Sequence, residues 1–125
     1  MVNPFSDQKH FMNACDQTTD GTQNDNQYSL YRNLISEELG ELKEAIEKDD
    51  RTEQLDALID ILVVTIGAIH SMGADAEGAW KEVFRTNLAK IDSATGKVIK
   101  REDGKVLKPE GWKPPNLHPF LGPNA

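Results

Sequence analysis

Five acidic side chains stand at spacings that could do chemistry: Glu38 and Glu41, then Glu53, Asp56 and Asp60. At about 100° per residue, with Leu34 as origin, Leu30, Tyr31, Ile35, Leu42 and Ala45 form an apolar arc. Glu38 falls about 40° and Glu41 about 20° from Leu34, inside that arc, while Lys43 and Glu47 point away from it. Two carboxylates one helical turn apart therefore face a core. The segment LDALIDILVVTIGAIHSM, from Leu55 to Met72, is apolar nearly all round and predicts a buried central helix. Glu53, Asp56 and Asp60 open its single polar strip, which Gly67, His70 and Ser71 continue.

Helices joined by a short link pack antiparallel. The two acid-bearing faces are expected to meet, with Glu38, Glu41, Glu53 and Asp56 together and Asp60 adjacent. Two such charges about 4 Å apart repel by about 4 kcal/mol at an effective dielectric of about 20. Protonation, pairing with Arg32, Lys81 or Lys90, or a hard divalent cation would relieve this. All-oxygen ligands suit Mg²⁺, with Mn²⁺ as a substitute, and the lack of a paired histidine argues against zinc. Glu53 also fits the third helical position of a capping box opened by Asp50. His70 reads as a polar core or rim residue, and Cys15 as a small apolar filler.

The elements that must carry these residues form an all-α chain with a four-helix bundle-like core. Helices are predicted over 5–15, with Ser6 as cap, over 27–48, from Asp50 or Thr52 to Met72, and over 75–91. Gly73 stands where a C-terminal cap belongs, and the polar stretch 18–26 is a loop. Lys97–Lys100 and Lys105–Lys108 flank an Asp103-Gly104 turn and predict a short β-hairpin. A Pro-rich tail follows.

Composition narrows the function classes. The 14 Lys and Arg against 21 Asp and Glu leave a net charge of −7, which argues against a nucleic-acid partner. Residues 1–92 carry 8 basic and 18 acidic side chains, whereas 93–125 carry 6 and 3. This suggests a helical domain over 1–92 and a basic hairpin and tail over 93–125 that belongs to it. The single cysteine excludes an internal disulfide framework and fits a cytoplasmic protein. No apolar run approaches the ~20 residues of a membrane span, so no membrane partner is expected.

Glu37-Glu38-Leu39-Gly40-Glu41, followed after eleven residues by Glu53-Gln54-Leu55-Asp56, resembles the EExxE…ExxD signature of the all-α nucleoside triphosphate pyrophosphohydrolases. These include MazG-like enzymes, dimeric dUTPases, dCTP pyrophosphatases and phosphoribosyl-ATP pyrophosphohydrolase. Arg85-Thr86-Asn87-Leu88-Ala89-Lys90 is similar to their Ser-Asn-x-x-Lys segment, with Thr86 in place of serine. The resemblance covers about residues 27–115. It implies Mg²⁺ held by Glu38, Glu41, Glu53 and Asp56, with Glu38 and Glu41 catalytic and Glu38 the general base. Water would attack the α-phosphorus of a (deoxy)nucleoside triphosphate, giving monophosphate and pyrophosphate.

On the substrate side the expected residues are Asn87, Lys90, Arg32 and Asp60, with Phe11, Tyr28, Trp80 or Trp112 available for base stacking. Trp80 and Phe84 are expected to pack in the core. A homodimer or dimer of dimers is expected, because the apolar surface looks unfinished. The competing readings are a non-catalytic helical interaction module and an enzyme like phosphoribosyl-ATP pyrophosphohydrolase itself.

Overall fold

A computed structural model describes residues 1–122. Four helices, α1 (Pro4–Ala14), α2 (Asp25–Glu47), α3 (Arg51–Ser71) and α4 (Ala76–Leu88), are followed by an antiparallel pair, β1 (Ile91–Asp92) and β2 (Lys97–Val98), and a 3-10 turn at His118–Phe120. The expected hairpin further on is reduced to one bridge, Lys100 to Val106, with hydrogen bonds from Leu107 N–H to the Ile99 carbonyl and from Arg101 N–H to the Lys105 carbonyl.

Caps set the helix starts. The Asn3 side chain accepts from the Phe5 and Ser6 amides, so α1 begins earlier than a Ser6 cap would allow. Asn24 accepts from the Gln27 amide and starts α2 at Asp25 rather than Gln27. Asp50 accepts from the Glu53 amide and starts α3.

The described residues divide into two compact units, Met1–Ala76 with Leu121 and Gly122, and Glu77–Phe120. The composition border near Asp92 is therefore not the contact border, because α4 folds with the basic segment that follows it.

In the first unit α2 and α3 run antiparallel, joined by a tight link in which Asp49 takes a left-handed conformation (φ 52°). Asp50 N–H and the Gln54 side-chain amide both reach the Ala45 carbonyl, which sets the register. Met12, Tyr31, Val64 and Ala68 form the core, with Tyr28, Leu34 and Ile35 packed on it. At the far end of the pair Asn24 N–H donates to the Ser71 carbonyl, and Gln27 bonds Ser71 Oγ. Gly73 has φ 74°, and a Cβ there would lie 2.6 Å from the Gly21 carbonyl oxygen. His70 Nε2 donates to the Phe5 carbonyl, tying α3 to α1 as a polar core residue.

Several expectations need correction. Cys15 is exposed and fills no gap, since it caps α1 at the surface. Helix α3 buries only part of its apolar surface, because α1 and α2 cover one side of it. Leu55 (62 % exposed), Leu58, Ile59 and Leu62 (58 %) form an open stripe. By length and composition α3 could also cross a membrane, which the sequence reading did not anticipate. Its buried Val64, Ile66 and Ala68 account for that character as one side of a protein core. On α4 the Trp80, Phe84 and Leu88 side chains are exposed rather than packed.

Gly67 faces the Tyr31 ring so closely that a Cβ would stand 2.3 Å from Cε1. Gly67→Ala should therefore destabilise the first unit by about 1–3 kcal/mol through overpacking. Urea unfolding monitored by circular dichroism measures it, and an added Tyr31→Leu should recover part of the loss.

Candidate metal centre

Glu38 and Glu41 leave α2 one turn apart and Asp60 leaves α3 across from them. One carboxylate oxygen from each lies within 4.8 Å of the others. The register explains the trio: with Ala45 beside Gln54, counting backwards along α2 and forwards along α3 brings Glu38 opposite the turn that carries Asp60. Glu38 and Asp60 are partly buried and Glu41 is exposed. Oε2 of Glu38 is fully buried and has no hydrogen-bond partner.

The electrostatics follow from this crowding. The Glu38 carboxyl is pushed up to about 7, first by the hydrogen bond it shares with Glu41, then by burial and the charges of Glu41, Asp60 and Asp56. Burial raises Asp60 as well, reinforced by the charges of Asp56 and Glu41. Of the three rescues open to such a cluster, cation pairing is not used. Among the described residues none of Glu38, Glu41, Asp56 and Asp60 is in an ion pair. Arg32 instead stacks on Tyr28, its guanidinium 5.6 Å from the ring centroid, and Lys90 lies over Trp112.

The remaining acids line a neighbouring depression of about 420 Å³, where Glu53 and Asp56 share the walls with Glu41, Glu44, Asp50 and Lys48. The capping box at Asp50 is half formed. The Glu53 amide is bonded, but the Asp50 amide goes to Ala45, which leaves the Glu53 carboxylate exposed. The tight cluster thus contains Asp60, read from sequence as a substrate-side acid, while Glu53 stands beside it in the depression. Antiparallel register could have shown this, since Asp60 lies one turn beyond Asp56 on the same strip. In the second unit Asn87 is exposed and Lys90 is partly buried.

A divalent cation fits this donor set. The ligands are all hard oxygens, they converge, and one of them is a buried oxygen that no protein group satisfies. Glu38, Glu41 and Asp60 would hold the ion, with Asp56 within electrostatic reach.

The phosphoribosyl-ATP pyrophosphohydrolase family model matches residues 8–87, and the chain belongs to that family, within the MazG-like all-α superfamily. These are pyrophosphohydrolases of nucleotide-like substrates, and generally metal-dependent. No curated protein matches the chain.

The raised Glu38 carboxyl gives a pH signature. The folded chain holds this proton more tightly than the unfolded chain does. Metal-free stability should therefore fall as pH rises from about 4.5 to about 7. Glu38→Gln should flatten that slope, and denaturant unfolding across the window in chelator measures it.

Proposed function

We propose that the protein is a Mg²⁺-dependent pyrophosphohydrolase that cleaves a (deoxy)nucleoside triphosphate to the monophosphate and pyrophosphate, acting on the nucleotide pool of the cytoplasm. The observation that carries this reading is the orphaned Oε2 of Glu38 within a converging carboxylate trio. A protein–protein docking surface would turn its acids outward and would not bury an unsatisfied oxygen among them. Glu38, Glu41 and Asp60 are the proposed ion ligands, with Asp56 and Glu53 completing the acidic wall. Bound there, Mg²⁺ would neutralise charge on phosphoryl oxygens.

Glu38 is assigned as general base. Its place in the cluster, beside the carboxylates that would hold the ion, puts it next to water bound there, from which a carboxylate can take a proton. A polyphosphate is repelled by an acidic centre, so its binding needs cations, and Lys90 and Arg32 are assigned to it together with the Asn87 amide. Mn²⁺ is expected to substitute for Mg²⁺. The family match favours phosphoribosyl-ATP as a second substrate to be tried beside the nucleoside triphosphates.

A panel of these compounds, followed by pyrophosphate rather than orthophosphate release, tests the reading. Glu38→Gln should lower turnover by about 10²–10⁴-fold. No turnover of any compound with metal present would favour the interaction module. Magnesium should stabilise the wild type by about 2.7 kcal/mol at 100 times its dissociation constant. Glu41→Gln should leave metal-free stability unchanged or higher, while losing most of the magnesium response.

The open stripe of Leu55, Leu58, Ile59 and Leu62 supports a homodimer or a dimer of dimers, in which a second copy covers α3. Light scattering should give a multiple of the 13.9 kDa chain mass, and Leu58→Glu with Leu62→Glu should shift it toward that mass.

A further inference from the structure

The tail beyond the residues of the family match does not trail away from the fold. The chain leaves the first unit after Ala76 and rejoins it at Leu121. Within the second unit the returning segment runs back along α4. Trp112 Nε1 donates to the Thr86 carbonyl at 2.7 Å, and the Asn116 amide donates at 2.7 Å to Glu82 Oε2, nearer the start of the helix. Thr86 is buried, and Glu82 is held down to about 2, by its pairing with Arg85 first and the Asn116 amide second. A 3-10 turn closed by Phe120 N–H on the Leu117 carbonyl ends the run.

Leu121 and Gly122 belong to the first unit, and both are partly buried. Leu121 borders a cavity of about 270 Å³ together with Tyr28 of α2, Met72 at the end of α3, Gln23 and Asp25. Gly122 crosses the turn that follows α3. Its φ is 91°, and a Cβ there would stand 2.6 Å from the Gly73 carbonyl oxygen and 3.7 Å from that of Gly21. Gly73 is itself crowded against Gly21, so three stretches of backbone meet where a side chain on Gly73 or Gly122 has no room. All three glycines take a left-handed φ, which other residues adopt only at a cost. Chain ends are loose unless something ties them down, and here a fitted crossing does so. The contact is two residues long, so it can open without unfolding either unit.

We infer that Leu121 and Gly122 are the latch of a strap, Trp112–Gly122, which gives the second unit a second tie to the first. Closed, Leu121 walls the cavity beside Tyr28 and Met72. Open, the cavity loses that wall, and the second unit stays joined through Ala76–Glu77 alone. The latch lies wholly within the first unit, and the bonds to Thr86 and Glu82 lie wholly within the second. Opening of the latch therefore reaches α4 along the strap itself, by loosening Asn116 from Glu82. This holds whichever reaction the acidic centre performs.

The test uses the full chain with ¹³C-methyl-labelled methionine, together with amide exchange followed by NMR. Gly122→Ala sets a Cβ against the Gly73 carbonyl, and Leu121→Asp puts a charge beside the cavity. Each should open the latch. The Met72 methyl resonance, assigned with Met72→Leu, should move in the same direction in both variants. The Asn116 amide should exchange about tenfold faster in both, as the population lacking its bond to Glu82 rises. Amides in the middle of α2 and α3 should keep their protection. Gly104→Ala is the control, because its φ of 90° carries the same left-handed cost with nothing within 4 Å of the new Cβ. It should leave both signals unchanged.

An unmoved Met72 methyl in both Gly122→Ala and Leu121→Asp overturns the latch. A moved methyl with unchanged Asn116 exchange shows a contact that does not act on the strap, and overturns the inference equally. So does an equal response to Gly104→Ala, or an equal acceleration of the α2 and α3 amides.

Discussion

Carboxylates do not gather unless something stronger holds them together, and here that is the packing of α2 on α3. The apolar contact through Tyr31, Val64 and Ala68 and the short link at Asp49 fix the register. The register puts Glu38, Glu41 and Asp60 within reach of one another whatever their mutual repulsion. Dispersion and burial along the pair outweigh a local electrostatic penalty, which appears in the raised Glu38 and Asp60 carboxyls. The chain thereby keeps a group of acids poised to take up a proton or a cation. The family to which it belongs is generally metal-dependent.

Much of this was legible in the residues. Helical periodicity located α2 and α3, and the misplacement of Glu38 and Glu41 in an apolar arc identified the acid face before any coordinates. The motif led to the family. The membership of the tightest cluster was less legible, because ExxD spacing drew attention to Glu53 and Asp56 while the antiparallel register brings Asp60 to Glu38 and Glu41. Glu53 is the N-terminal-turn residue that Asp50 caps, and that local role leaves its carboxylate in the adjacent depression. A periodicity argument ranks faces; only the pairing of two helices ranks positions along them.

The expectations about burial that failed share one physical origin. Apolar stripes on α3 and α4 were expected to be interior because hydrophobic residues seek burial. A single chain of this size supplies too few layers to cover both. The stripe of Leu55, Leu58, Ile59 and Leu62, and separately that of Trp80, Phe84 and Leu88, remain open. The change in composition and the division by contacts fall at different places. Net charge changes after Asp92, but the contacts that clip the tail to α4 are an indole N–H on a carbonyl and an amide on Glu82, neither of which depends on net charge.

The α2–α3 pair is closed at both ends, by the Asp49 link on one side and by the Asn24 to Ser71 hydrogen bond on the other. It is in effect a ring of fixed perimeter. One residue added within either helix could not be taken up by sliding, since both ends are tied. It would turn everything downstream by about 100° and scatter the acids around the helix. Any change in the length of this protein that keeps the acids together therefore falls outside the two helices.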